Sequence, residues 1–221
     1  MPKLARKPDV GEPPATSFWK GSQGDDYTDR NSGDFNRLYL KNFGTTRTRL
    51  NAEFVGNLDR NIRILEVGCN RGKQLEILRE MGFTNFTGID INRKALKIAR
   101  GEHFDVRQGA ISDIPFADNS FDMVFTSGVL IHIPPEVLPG AMEEMCRVSA
   151  QYIWCFEYFS EKCEAIPYHG EKNVLWKNDF QKLFLEICPG LGTALSKKIK
   201  YLENENTDTM FLLKKSKRGD V

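Results

Sequence analysis

The chain has 221 residues, 40% of them hydrophobic and 28% charged, which suits a single folded domain with a full apolar core. Its 31 lysines and arginines nearly balance 30 aspartates and glutamates, so the net charge of +1 gives no basic footprint for nucleic acid. No apolar stretch reaches the roughly 20 residues of a membrane helix, and the first residues lack the apolar core of a signal peptide, so we expect a cytoplasmic protein.

The cysteines are scattered, odd in number and without the paired spacing of metal ligands. Most of them stand within or beside apolar segments, so we expect reduced and mostly buried thiols. The histidines and carboxylates also lack a ligand spacing, and no metal site is predicted. The cysteines are Cys69, Cys146, Cys155, Cys163 and Cys188.

The amino-terminal part of the chain divides into two predicted units. Residues 1–15 are rich in proline and charge and are expected to form a disordered tail. Residues 16–58 are expected to form a lid and cap helices, with a helix break near Gly44. The stretch around Tyr27 and Arg30 has two open interpretations. In the first interpretation, its aromatic residues merely pack on the domain. In the second, the segment is a lid that closes over a bound ligand and excludes water.

The run Ile62–Val67 is apolar and branched, which predicts a buried parallel strand. A helix over Gln74–Met81 follows, and the turn between the two carries Gly68 and Gly72. In open α/β sheets, ligands bind at such turns, outside the carboxyl ends of the strands. This turn is therefore the first candidate for a binding site.

The residues of this turn argue against a dinucleotide. Asn70 and Lys73 stand where the dinucleotide fingerprint needs glycines. Glu66 places a carboxylate at the strand end, where it would repel a pyrophosphate. The same acid favours a ligand with a positively charged end.

A second predicted strand, Phe86–Ile91, places Asp90 about 20 residues after the glycine turn, where a carboxylate accepts hydrogen bonds from ribose hydroxyls. The ligand then has a ribose and a cationic portion but no pyrophosphate. S-adenosyl-L-methionine, with its sulfonium and ammonium groups, fits this description. We expect Ile91, directly after the ribose acid, to pack on the adenine face.

Further strands and helices alternate along the rest of the chain. The predicted elements are a helix over Asn92–Arg100 with Asn92 as its N-cap, strands over Phe104–Gln108, Phe121–Thr126 and Tyr152–Phe159, helices over Glu136–Val148 and near Trp176–Ile187, and a closing hairpin of Ser196–Leu202 and Thr209–Lys215.

Three segments in this order, Glu66–Gly72, Gly88–Ile91 and Ile114–Phe125, resemble the successive motifs of class I S-adenosylmethionine-dependent methyltransferases. The resemblance implies S-adenosyl-L-methionine as the cofactor. It also implies a Rossmann-like, seven-stranded α/β sheet with helices on both faces and a C-terminal antiparallel hairpin. Residues 59–221 are expected to form this catalytic domain.

A narrower resemblance concerns Phe18–Asn31, Glu157–Phe159 and Trp176–Phe180, which are similar to the methylases associated with pseudaminic acid biosynthesis. It implies a small-molecule acceptor, a sugar or nonulosonic acid pathway intermediate or its nucleotide-linked form, that is methylated on oxygen or nitrogen. The aromatic residues of these segments would suit a carbohydrate as stacking platforms.

The resemblance also implies which residues hold the cofactor. In the lid interpretation Arg30 meets the methionine carboxylate and Tyr27 the sulfonium side. Adenine is held through the backbone near Ile111, or by Ser112 or Asp113. The implied cofactor-binding residues are Tyr27, Arg30, Glu66, Gly68, Cys69, Gly72, Asp90, Ile91, Ile111, Ser127 and Val129.

Three residues are candidates for catalysis, each with a structural alternative. His132 could take a proton from the acceptor, or it could only hydrogen-bond its loop. His169 could be the base or a surface histidine. Tyr158, at the end of its strand, could reach the acceptor or form a pocket wall.

Two other functions stay open at this point. The chain could methylate RNA or protein, against which the small net charge argues. It could also be a non-catalytic module that binds the cofactor within a biosynthetic assembly, because fold alone does not decide function.

Overall fold

The computed structural model describes residues 14–216. Most of the predicted disordered tail, residues 1–13, therefore lies outside the described residues. Pro14 and Ala15, which were assigned to that tail, belong to the first helix, where Ala15 is buried. No helix in the described part of the chain is long and apolar enough to cross a membrane.

The described residues form helices and strands in alternation after four amino-terminal helices. The helices are α1 Pro14–Lys20, α2 Ser22–Arg30, α3 Phe35–Phe43, α4 Arg47–Val55, α5 Lys73–Glu80, α6 Arg93–Gly101, α7 Leu138–Val148 and α8 Phe180–Ile187. The strands are β1 Ile64–Val67, β2 Phe86–Asp90, β3 Asp105–Gln108, β4 Phe121–Ser127, β5 Ser149–Tyr158, β6 Glu164–Ala165, β7 Trp176–Lys177, β8 Leu191–Lys200 and β9 Thr207–Lys215.

The main sheet has seven strands in the order β3-β2-β1-β4-β5-β9-β8. Strands β1 to β5 pair in parallel, and β9 pairs antiparallel with both β5 and β8. The antiparallel register sets Asp208 opposite Tyr158, so the beginning of β9 lies at the same edge as the carboxyl end of β5. The predicted fold, a seven-stranded α/β sheet with a C-terminal antiparallel hairpin, is confirmed.

Helices cover both faces of the sheet because successive residues of a buried strand point to opposite sides. In β1, Leu65 and Val67 join the apolar cluster that contains Met142 of α7 and Phe184 of α8. Ile64 joins the other cluster, built on α4, α5 and α6. This two-sided burial explains why β1 lacks an alternation of apolar and polar residues.

The helix boundaries predicted at Gly44 and Asn92 hold, whereas two helices start later than expected, and one of them is α7, which begins at Leu138 instead of Glu136. Gly44 ends α3 in the left-handed conformation, and Asn92 caps α6 by accepting a hydrogen bond from the Ala95 amide. The helix predicted near Trp176–Ile187 begins only at Phe180. Trp176 and Lys177 instead pair with Glu164–Ala165 in a small two-stranded sheet.

One expectation about the cysteines is wrong. Cys146 and Cys188 form a disulfide, because the packing of α7 against α8 brings their Cα atoms to 6.7 Å. Cys69 and Cys155 are buried free thiols, as expected, and Cys163 is an exposed one. The two cysteines are 42 residues apart in the sequence, so no local pattern predicted the disulfide.

Candidate active site

A cavity of about 370 Å³ lies at the carboxyl edge of the sheet, over the ends of β1, β2, β4 and β5. This is the position that an open α/β sheet offers to ligands. The cavity has two halves that are lined by different elements. The cofactor half is lined by Glu66–Arg71, Asp90–Asn92 and Ser127–Val129, together with Gly109, Ile111 and part of α2. The distal half is lined by Phe35, Leu38, Tyr39, Asn42, Phe43, Phe156, Tyr158, Tyr201 and Asp208.

The glycine turn after β1 is tied closely to its neighbours. Gly68 has a φ of 74°, and its amide and that of Cys69 both donate to the Ile89 carbonyl of β2, at 2.8 and 2.9 Å. A Cβ on Gly68 would lie 2.5 Å from the Cγ2 atom of Val129. Gly72 has a φ of 83° and precedes α5. The turn therefore needs glycine both for its backbone conformation and for its approach to Val129.

Asp90 holds the cofactor half together. One carboxylate oxygen accepts from the Asn70 amide at 2.8 Å and the other from the Asn92 amide at 2.7 Å. Burial raises the pKa of Asp90, and its hydrogen bonds from backbone amides oppose that shift. Each oxygen can accept another hydrogen bond, so the residue that fixes the turn can also receive ribose hydroxyls.

Glu66 contributes a buried acceptor to the wall of the cavity. The residue is 3% exposed, and its Oε2 atom has no hydrogen-bond partner in the described part of the chain. Burial raises its pKa well above the usual range, an effect that the nearby Arg47 guanidinium opposes and Asp90 reinforces. An unpaired buried carboxylate oxygen is costly, which indicates that a ligand donor meets it.

The amino-terminal helices α1 and α2 cover this half of the cavity. Trp19 and Tyr27 line it, with their ring centroids 5.1 Å apart. The two helices are anchored at the start of α6. The side-chain amide of its N-cap residue Asn92 donates to the Trp19 carbonyl at 3.2 Å and to the Asp25 carboxylate at 2.9 Å. This placement supports the lid interpretation, and its opening and closing stay a prediction.

Arg30 and His169 lie beside the cavity and do not line it in this structure. Both are exposed, and the Arg30 Nη2 atom is 3.5 Å from the His169 Nε2 atom. The neighbouring Tyr168 does line the cavity. The predicted roles of Arg30 on a carboxylate and of His169 as a base therefore remain untested predictions.

His132 faces the cavity as a neutral imidazole. Its Nδ1 atom lies 2.8 Å from the Val174 carbonyl, which can only accept, so Nδ1 carries the proton and Nε2 keeps its lone pair. Burial lowers the pKa of His132 to about 4. The Trp19 ring covers it, with a centroid distance of 4.3 Å. The geometry allows both interpretations, a base and a loop anchor.

Replacing Trp19 with alanine is expected to move the pKa of His132 from about 4 toward the ordinary 6.5, because the lost indole admits water to the imidazole. Titration of the His132 ring protons by NMR measures the midpoint. Ser17→Ala, an exposed change on the same helix, is the matched control. An unchanged midpoint in Trp19→Ala would show that α1 does not cover the site in solution.

Glu157, at the predicted carboxyl end of its strand, is a site residue whose contacts the sequence did not predict. It is buried, and its two carboxylate oxygens accept from the Val129 and Ile131 amides at 3.2 and 3.4 Å. Burial raises its pKa to about 7. Glu157 thereby fixes the loop after β4 that carries Val129 into the cavity. The sequence signal for this role was an acidic residue directly after the apolar run of a predicted strand.

The remaining predicted residues divide between the two halves. Cys69, Ile91 and Ile111 line the cofactor half, whereas Ser112 and Asp113 do not line the cavity. Tyr158 lines the distal half, and so do residues of α3, which belongs to the predicted cap helices. The sequence did not point to Asp208. Within residues 14–216 no cluster of histidine, cysteine and acidic side chains could hold a metal ion.

Residues 65–151 match the profile of a protein family described as "Methyltransferase domain". The match covers 87 of the 221 residues, and the sheet order agrees with it. A probable phthiotriol/phenolphthiotriol dimycocerosates methyltransferase 2 of Mycobacterium ulcerans is 34% identical over 107 residues. That match covers 46% of this chain, and this chain spans only 39% of that relative.

Solved structures with the same fold cover nearly the whole chain. Magnesium protoporphyrin IX methyltransferase of Synechocystis, with bound SAM, has a TM-score of 0.68 at 16% identity over 94% of this chain and 99% of that one. The 1,6-didemethyltoxoflavin-N1-methyltransferase of Burkholderia thailandensis has a TM-score of 0.67 at 15% identity over 91% and 87%. At sequence identities of 15–16%, these similarities show a shared fold and nothing about the substrate.

Proposed function

We propose that this chain, with its class I methyltransferase domain, binds S-adenosyl-L-methionine and transfers the methyl group to a small organic acceptor. One observation carries the proposal. Two buried carboxylates, Glu66 and Asp90, flank a glycine turn at the end of adjacent strands, and Glu66 keeps an unpaired oxygen there. A ligand with both a ribose and a cationic end satisfies both acids.

The residues of the cofactor half fit this ligand. Asp90 would receive the ribose hydroxyls, Ile91 and Ile111 would pack on adenine, and Glu66 would face the methionine ammonium. The bound cofactor supplies an already activated methyl group on a sulfonium. Binding of the sulfonium beside Tyr27 is favoured by the electron-rich face of the ring.

The chain's own contribution is orientation and exclusion of water. Glu157 fixes the loop that carries Val129, and Trp19 closes the cavity over His132. Holding two reactants in line is worth several kcal/mol of the barrier. The His132 Nε2 lone pair is available to a protonated acceptor, and a carboxylate acceptor would need no base.

For the acceptor we propose a sugar or nonulosonic acid pathway intermediate, methylated on oxygen or nitrogen. The resemblance of the terminal segments to pseudaminic acid-associated methylases supports it. The distal half supports it as well, because aromatic rings such as Tyr158 and Tyr201 line it and suit a ring-shaped acceptor. The cytoplasmic location expected from the sequence stays a prediction.

Calorimetric titration with S-adenosylmethionine and S-adenosylhomocysteine tests the cofactor, and we expect one molecule of either to bind per chain. A mass-spectrometric screen of sugar-pathway intermediates with the donor then tests the acceptor. Binding without transfer to any sugar would contradict the proposed acceptor. Absence of binding by both ligands would contradict the proposed function altogether.

A further inference from the structure

Asp208 is a buried carboxylate in the distal half of the cavity that no motif of the sequence explains. It is the second residue of β9, is 1% exposed and lines the cavity. Its Oδ2 atom accepts from the Tyr201 hydroxyl at 3.2 Å, while its Oδ1 atom has no partner in the described part of the chain. A buried acceptor without a donor is costly, so we expect a hydrogen-bond donor of a ligand to meet this oxygen.

The position of Asp208 separates it from the cofactor. Asp90 is the last residue of β2 and Asp208 the second residue of β9, and β1, β4 and β5 lie between these two strands. Neighbouring strands lie about 4.8 Å apart, so the two acids are about 19 Å apart along the sheet edge. Asp208 is only two strands, about 10 Å, from β4, whose following loop would face the methyl group. Asp208 therefore lies on the acceptor side of the proposed site.

The surroundings of Asp208 select the chemistry of the acceptor. Among the described residues that line the distal half, Asp208 is the one carboxyl side chain, and the rest are mainly aromatic. The Arg47 guanidinium lies behind this lining, where it donates to the Tyr39 hydroxyl and packs on the Phe156 ring. Tyr158 is hydrogen-bonded to Tyr201, which in turn donates to Asp208. A carboxylate among aromatic faces is suited to an ammonium group, through both the ion pair and the rings.

Resting on the proposed function, we propose that the acceptor is an amine and that Asp208 binds its ammonium group and takes its proton before methyl transfer. One proton passes from the ammonium nitrogen to Asp208 Oδ1, since a neutral pair is favoured where water is excluded. The freed lone pair of the nitrogen forms a bond to the methyl carbon. The carbon–sulfur bond breaks, its electrons stay on sulfur, and Asp208 later releases its proton to solvent.

The charges around Asp208 determine how many protons binding releases. Burial raises the pKa of Asp208 to about 8; the Tyr201 hydrogen bond opposes this, Glu157 adds to it, and Arg47 and Lys177 lower it. Tyr158, Tyr201 and Tyr39 have raised pKa values and stay neutral. At pH 7 most Asp208 is protonated, so binding an ammonium group will release up to one proton. This release will fade above pH 8.

The test uses protein loaded with S-adenosylhomocysteine and two matched pairs of probes. These are phenethylamine with N-acetylphenethylamine and glucosamine with N-acetylglucosamine. Titration at pH 7 in buffers of different ionisation enthalpy measures both the affinity and the protons released. We expect at least one amine to bind tenfold or more tightly than its acetylated partner, with release of up to one proton.

Asp208→Asn is expected to lower the amine affinity at least tenfold and to abolish the proton release, while S-adenosylhomocysteine still binds. Glu205→Gln, an exposed change in the same β8–β9 turn, is the control and should behave as the native chain. With S-adenosylmethionine, mass spectrometry should place the new methyl group on nitrogen.

Three results would overturn the amine proposal and leave the cofactor assignment standing: no binding of either amine, equal binding by the acetylated partners, or an undiminished amine affinity in Asp208→Asn. Methyl transfer to a hydroxyl of glucosamine would also overturn it. Failure of S-adenosylhomocysteine to bind the native chain would instead contradict the proposed function, and the amine proposal with it.

Discussion

Replacing Asp90 with alanine will weaken S-adenosylmethionine binding at least about 100-fold. The change removes an acceptor of two ribose hydrogen bonds, and a hydrogen bond to a charged group is worth about 1.5–3 kcal/mol. It also removes the carboxylate that receives the Asn70 and Asn92 amides. The turn that carries the ligand is thus loosened by the same substitution. Calorimetric titration measures the loss.

Two variants separate binding from folding in this experiment. Asp90→Asn keeps the shape and one acceptor oxygen, so its loss of affinity should be smaller than that of the alanine variant. Asp105→Ala, on the exposed face of β3 and away from the cavity, should bind normally. Near-native affinity in a folded Asp90→Ala protein would show that the ribose does not lie on this acid.

Gly68→Ala is expected to weaken cofactor binding about 10- to 100-fold and to lower the free energy of unfolding by about 1–3 kcal/mol. The φ of 74° disfavours any side chain, and the new Cβ would meet the Val129 Cγ2 atom at 2.5 Å. Either the turn leaves the Ile89 carbonyl, or Val129 moves and the loop after β4 shifts. Calorimetry and urea unfolding measure the two losses.

A double variant shows which part of this cost is steric. Val129→Ala removes the Cγ atoms that Gly68→Ala would strike, so the combination should recover part of the lost affinity and stability. Gly101→Ala is the matched control, since nothing lies within 4 Å of its added Cβ. No recovery in the double variant would assign the loss to backbone strain at Gly68 alone.

These predictions place the two reacting partners over different strands of one sheet edge. The cofactor half depends on β1, β2 and the loop after β4, which Glu157 fixes. The distal half depends on α3 and on the hairpin that brings Asp208 and Tyr201 beside Tyr158. A substitution at Asp90 should therefore change donor binding, and one at Asp208 should change acceptor binding.

The sequence by itself determined the elements that depend on neighbouring residues. The branched run before Gly68 predicted β1, Asn92 predicted the cap of α6, and the spacing from the turn to Asp90 predicted an acid beside that turn. These features follow from local composition, backbone conformation and the period of a strand or helix. The order of the motifs was then enough to predict the seven-stranded fold.

Only the tertiary structure decided which distant side chains meet. The Trp19 ring over His132, the Cys146–Cys188 disulfide and the position of Asp208 opposite Tyr158 all join segments far apart in the chain. Such contacts depend on strand register and on how helices pack on the sheet, and a local pattern carries neither. For the same reason the lining of the cofactor half could be predicted from short motifs, whereas the meeting of Asp208 and Tyr201 with Tyr158 in the distal half could be recognised only once the chain was folded.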